Sequence, residues 1–169
     1  MKKVLYLHGL ESGQGGSKVD YLADNCYVHA PEMDYTRKDI FPYLIKIMED
    51  FDPDLIIGSS MGGYAAYILS GFYGTPIIAF NPALHSRDFD PKFPNKVQTC
   101  YPGKATMILG EEDTIIDPKK TVKFIIDHIT KGHPQINIEN INIENVKGMG
   151  HRVPLDIFIN KTHKWIISI

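Results

Sequence analysis

Three short stretches of this chain carry residue types that can do chemistry together. The first is "IIGSSMGGYAAYIL", residues 56–69, in which Gly58-Ser59-Ser60-Met61-Gly62 satisfies G-x-S-x-G. An apolar run with the look of a buried strand precedes it, and a run with the look of a helix follows. In that setting the turn is so tight that the central serine takes a strained backbone conformation. The positions two before and two after it must then be glycine. The strain holds the Ser60 hydroxyl out at the top of a sheet. Ser59 cannot be the centre, because Ile57 and Met61 would then stand where glycine is required.

A serine hydroxyl is a poor nucleophile near neutral pH. It needs a base, and the base needs an acid that orients it and stabilises its cation. The second stretch, "LGEEDTIID", offers Asp113, with Asp117 as the alternative acid. Asp117 is also explained as a helix N-cap ahead of Pro118. The third stretch, "GMGHRVP", offers His151, framed by Gly148, Gly150 and Pro154. Serine, acid and histidine thus occur in the chain order of one known arrangement.

An oxyanion site would need two N–H donors. The residue after the nucleophile, Met61, is expected to give one. Leu10, in the loop "LHGLESGQGGSK", is expected to give the other. That glycine-rich loop does not match G-x-x-x-x-G-K-[ST], since Gly16-Ser17-Lys18 has the wrong order, and it lacks the last glycine of a dinucleotide fingerprint. His8 reads as a support for this loop. No histidine falls in HExxH or another spaced metal pattern. No metal and no cofactor is expected.

The elements that must position these residues alternate between strand-like and helix-like segments. Strands are read at 3–7, 26–31, "PDLIIG", "TPIIAFNP" and "KATMILGEED". Helices are read at 17–24, capped by Ser17, and at 36–51, 62–73, 117–130 and 154–168. In "INIENINIEN" the two isoleucine pairs have opposite strand parity. A break at Glu139-Asn140 is therefore expected, with the second copy, through Val146, as the core strand. Residues 83–103 read as an irregular excursion in which Phe89, Phe93 and Tyr101 either wall a pocket or pack a loop. The alternation predicts an α/β fold, a three-layer α/β/α sandwich with a mostly parallel sheet. In such sheets ligands bind beyond the carboxyl ends of the strands. The three polar stretches and the glycine-rich loop all fall there.

The bulk properties set limits. The 169 residues favour one domain, 1–169. A net charge of −2, with no basic run longer than a pair, gives no electrostatic ground for nucleic acid as a partner. Two cysteines, Cys26 and Cys100, make no disulfide framework. The apolar run Val4–Leu7 is too short for a signal-peptide core, and no stretch approaches membrane-spanning length. A cytoplasmic location is expected.

Taken together, "LYLHGLESGQGGSK", "IIGSSMGGYAA", "AFNPAL", "GEEDTIID" and "GMGHRV" resemble the α/β-hydrolase superfamily, and within it the small YqiA-like bacterial esterases. The resemblance covers nearly the whole chain, with residues 83–103 and 131–140 departing from it. It implies a serine hydrolase with Ser60, Asp113 and His151 as triad, a sheet shortened at its beginning, and no separate lid domain. A small carboxylic ester or acyl thioester is the expected substrate. Two other readings stay open: a non-enzymatic small-molecule binding module on this fold, and a hydrolase acting on an amide or carbon–carbon bond.

Overall fold

Alternating apolar residues build the sheet. In a strand, odd and even positions face opposite sides, so a strand buried on both faces reads as a continuous apolar run. The strands "KVLYL" and "LIIGS" are such runs. Val4, Tyr6, Leu55 and Ile57 join one apolar cluster, whereas Leu5, Leu7 and Ile56 join the other. In the computed structural model, which describes residues 1–10, 12–94, 103–132 and 138–167, six strands form one sheet. They are β1 (Lys3–Leu7), β2 (Tyr27–His29), β3 (Leu55–Ser59), β4 (Ile77–Phe80), β5 (Ala105–Gly110) and β6 (Ile141–Val146). The order across the sheet is β2-β1-β3-β4-β5-β6, and every neighbouring pair is parallel.

Among the described residues, five α-helices cover the two faces: α1 (Ser17–Asn25), α2 (Ile40–Phe51), α3 (Met61–Tyr73), α4 (Pro118–Gly132) and α5 (Leu155–Ile167). Helices α1 and α5 bury Leu22, Phe158 and Ile166 on one face, and α2, α3 and α4 bury Leu44, Tyr67 and Ile125 on the other. The chain therefore has the α/β/α arrangement expected of it. Register matters for the site. Leu7 pairs with Gly58, Ser59 with Phe80, and Gly110 with Val146. The carboxyl ends of β1, β3, β4, β5 and β6 thus finish along one rim.

Several local expectations need adjustment. Ser17 opens α1 but does not cap it; Gly16 is the N-cap, at φ 97°, with no side-chain hydrogen bond. Helix α2 begins at Ile40 rather than at Thr36, because Thr36 is taken up in a turn closed by Asp34. The repeat is broken by a 3₁₀ turn, Ile138–Asn140, and its second copy enters the sheet as β6. This strand lies at the sheet edge and is only half-buried, so it is less of a core strand than its isoleucines suggested. In the segment after β4, Phe93 is buried, packs edgewise against Phe41 and meets the Tyr64 ring at a tilt. It packs the loop onto the core. Tyr101, Cys100 and the start of the repeat lie outside the described residues.

Phe158 is the centre of the α1/α5 face. It is 1% exposed and meets the rings of Tyr6, Tyr21 and Phe80. Replacing it by alanine removes a large apolar surface and leaves a cavity that rigid strands cannot close. Phe158→Ala should lower the unfolding free energy by about 3–5 kcal/mol, read from urea denaturation.

Candidate active site

The site is assembled from the turn between β3 and α3. Ser60 sits at φ 54°, ψ −116°, a conformation that L-residues rarely adopt. The glycines around it are required by space. A Cβ on Gly58 would overlap the carbonyl group of Gly62, and one on Gly62 would overlap the carbonyl of Leu7 at the end of β1. With hydrogen at both positions, α3 starts directly over β1 and β3. The backbone of Ser60 is tied on both sides of the turn. Its N–H donates to Phe80 O at 2.9 Å, while its carbonyl accepts from Tyr64 N at 3.1 Å and Ala83 N at 3.0 Å. The Ser60 side chain makes no helix-cap hydrogen bond and is left to face the rim.

It faces His151. The Ser60 hydroxyl lies 3.1 Å from His151 Nε2, and His151 Nδ1 lies 2.8 Å from Asp113 Oδ2. A carboxylate can only accept, so Nδ1–H donates to Asp113. Nε2 is then the acceptor for the Ser60 O–H. The Asp113 side chain is fully buried, whereas that of His151 is 29% exposed. The other oxygen of Asp113 accepts the N–H groups of Ile115 and Ile116 at 2.8 and 2.9 Å, which fixes the carboxylate plane. Asp117 is occupied elsewhere: its Oδ1 accepts Lys119 N at 2.8 Å and Lys120 N at 3.3 Å, capping α4. The structure therefore brings Asp113, and not Asp117, to His151.

Leu10 and Met61 both line the cleft beside Ser60 and His151. Met61 is the first residue of α3, where an N–H has no carbonyl one turn earlier to bond. The Leu10 loop is braced by His8, which is 2% exposed. Met33 N donates to His8 Nε2 at 3.0 Å, and His8 Nδ1 donates to Gly9 O at 2.7 Å. The Tyr35 hydroxyl donates to His8 O at 2.6 Å. His8 thus takes the supporting part expected of it. The cleft encloses about 290 Å³ and is walled further by Ala83, Ser86, Ile115, Ile116 and Val153. Phe89 and Phe93 are not among its lining residues. Among the described residues, no group of three or more His, Cys, Asp or Glu side chains could hold a metal ion.

One residue that holds the site together escaped the sequence reading. Asn81, 1% exposed and at φ 42°, follows β4. Its Oδ1 accepts Gly110 N at 2.8 Å, at the head of the Asp113 loop. Its Nδ2 donates to Gly150 O at 2.9 Å and His151 O at 3.1 Å. One amide thus stitches the acid loop to the histidine loop. The signal was available in Asn81-Pro82: asparagine tolerates the left-handed region, and a strand that stops on Asn-Pro is a turn.

The fold is the α/β-hydrolase fold. Solved structures with the same fold include a monoacylglycerol lipase from Paleococcus ferrophilus, at 16% identity and a TM-score of 0.71, matched over 98% of this chain and 94% of that one. An S-formylglutathione hydrolase from Staphylococcus aureus matches at 15% identity and 0.66, over 99% and 84%. An esterase from Pyrococcus furiosus matches at 14% and 0.66, over 97% and 78%. At these identities the likeness establishes the fold. The chain belongs to the family described as "Uncharacterised protein family (UPF0227)", whose model matches residues 3–126. That match takes in Ser60 and Asp113 and ends before β6 and the His151 loop.

Asn81→Asp is isosteric. It keeps the acceptor for Gly110 but replaces the two donors with an oxygen facing the carbonyls of Gly150 and His151. The unfolding free energy should fall by roughly 2–4 kcal/mol, measured by denaturant titration.

Proposed function

We propose that this protein is a serine hydrolase that cleaves a small carboxylic ester or acyl thioester through an acyl-enzyme on Ser60. The observation that carries the reading is the unbroken hydrogen-bonded line from the Ser60 hydroxyl through both nitrogens of His151 to buried Asp113. A module that only bound its ligand would have no need of a strained serine aligned with a base and a buried carboxylate. The fold's company of lipases and esterases is in keeping with the proposal.

In this mechanism Ser60 Oγ attacks the acyl carbon while His151 Nε2 takes its proton. The carbonyl π electrons move onto oxygen, and the N–H groups of Leu10 and Met61 receive the oxyanion. The tetrahedral species collapses as His151 hands its proton to the departing alkoxide or thiolate. Water then attacks the acyl-enzyme, giving its proton to His151, which returns it to Ser60 Oγ as the acid leaves. Asp113 keeps Nδ1 protonated, so that Nε2 stays the basic nitrogen, and stabilises the imidazolium. The cleft volume suits a short acyl group better than a polymer chain.

A serine-reactive fluorophosphonate should label the protein once, at Ser60, and Ser60→Ala should abolish the label in a protein that still unfolds cooperatively. An absence of labelling in folded wild type would instead favour the binding module. Across a panel of ester, thioester and amide substrates, Asp113→Asn should lower kcat by about 10⁴ through the wrong imidazole tautomer. Asp117→Asn should keep most of the activity. Comparable losses in the two variants would overturn the assignment of the acid.

A further inference from the structure

The cleft that holds Ser60 and His151 has an unequal charge distribution. Lys18, from the first turn of α1, and Arg152, next to His151, both line it. Among the described residues neither makes an ion pair within 4 Å. By contrast Arg87, a third cation in the lining, is committed to Asp90 at 2.7 Å and to the carbonyls of Ala83 and Leu84 at 2.8 Å, with its guanidinium 4.0 Å from the Tyr64 ring centroid. Lys18 lies partly buried, its ammonium 5.7 Å from the Phe158 ring centroid. Burial and the neighbouring Arg152 charge both push its pKa down. Two like charges thus line one cleft and repel each other across it.

The walls differ. Lys18, Arg152 and Val153 belong to the side built on α1 and α5, whose apolar cluster includes Val153 and Phe158. Ala83 and Ile116 belong to the side built on the α2/α3/α4 cluster. Asp88, the acidic residue in the lining, follows β4 on that second side with Ala83, Ser86 and Arg87. A ligand with one apolar part and one anionic part would match both walls.

We propose that the substrate carries an anionic group, a carboxylate or a phosphate, which Lys18 and Arg152 receive while the scissile carbonyl lies at Ser60. This rests on the serine-hydrolase reading for its second half only. Lys18 is partly desolvated and Arg152 exposed, neither is ion-paired among the described residues, and an oxyanion ligand supplies counter-charge to both side chains at once. Neutral esters of the same shape leave the pair unsatisfied.

The test uses matched esters: 4-acetoxybenzoate and 4-acetoxyphenyl phosphate against neutral methyl 4-acetoxybenzoate, and phenyl hydrogen adipate against methyl phenyl adipate. The two sets put the anion on the alcohol side and on the acyl side. For wild type, kcat/KM for at least one anionic ester should exceed that of its neutral partner by about tenfold at low salt. Which anionic ester leads tells carboxylate from phosphate. The ratio should fall toward one in Lys18→Gln and Arg152→Gln, and in wild type as NaCl rises from about 20 mM to about 0.5 M. Binding of the same esters to Ser60→Ala protein, followed by calorimetry, should show the same preference without turnover. Neutral esters handled as well as anionic ones in every pair would overturn the inference while leaving the hydrolase reading intact. Charge-dependent binding to Ser60→Ala with no turnover of any ester by wild type would do the reverse.

Discussion

The approach of Gly62 to the carbonyl of Leu7 governs much else in this molecule. A helix that starts directly over the end of a neighbouring strand needs a residue with no side chain at that contact, and Gly58 repeats the requirement one strand over. Only with both contacts made can β3 reverse so sharply into α3 that Ser60 is left at positive φ with its hydroxyl at the rim. The sheet supplies the fixed points. The Ser60 N–H continues the β3–β4 ladder onto Phe80, and Ala83 closes on the Ser60 carbonyl from the following segment. Strain of this kind persists only where the surroundings over-determine it.

The other half of the site depends on polar stitching. Loops at the ends of parallel strands have no ladder of their own, yet here an imidazole is held within hydrogen-bonding distance of both partners. Asp113 is locked by two backbone N–H groups of its own turn, and Asn81 binds Gly110 to Gly150 and His151. The glycine-rich loop is braced similarly by His8 and Tyr35. Four buried polar side chains thus fix three loops, each with its hydrogen-bonding groups engaged. In a low-dielectric interior such bonds are strong and their loss is costly.

Much of this was legible in the sequence, for stated reasons. G-x-S-x-G between an apolar run and a helical run reports local sterics, so Ser60 could be placed from five residues. His151 could be placed because glycines and a proline frame it after a strand. Asp113 could be preferred by its place past the strand end, but Asp117 stayed as the alternative, because both stand in one short loop and the choice depends on which carboxylate a distant histidine meets. The start of α2 and the edge position of β6 were illegible for a similar reason: Asp34 competes for Thr36, and the isoleucines of β6 do not say whether a further strand pairs with it. Asn81 and the cation pair of Lys18 and Arg152 went unread because their partners are remote in sequence. Lys18 and Arg152 are 134 positions apart.

The parallel order of the sheet bears on how Ser60 and His151 come together. Ser60 and His151 are separated by 91 residues, and β6 docks at the far edge of the sheet only after the β5 edge exists to receive it. Parallel pairing of this kind is non-local and slow, since chain closure precedes any reward in contacts. A nascent chain that has formed β1, β3 and the sharp turn already presents Ser60, but it has no imidazole beside it. The hydroxyl has no imidazole partner until β6 and the loop after it are in place, so the Ser60–His151 hydrogen bond depends on the far edge of the sheet.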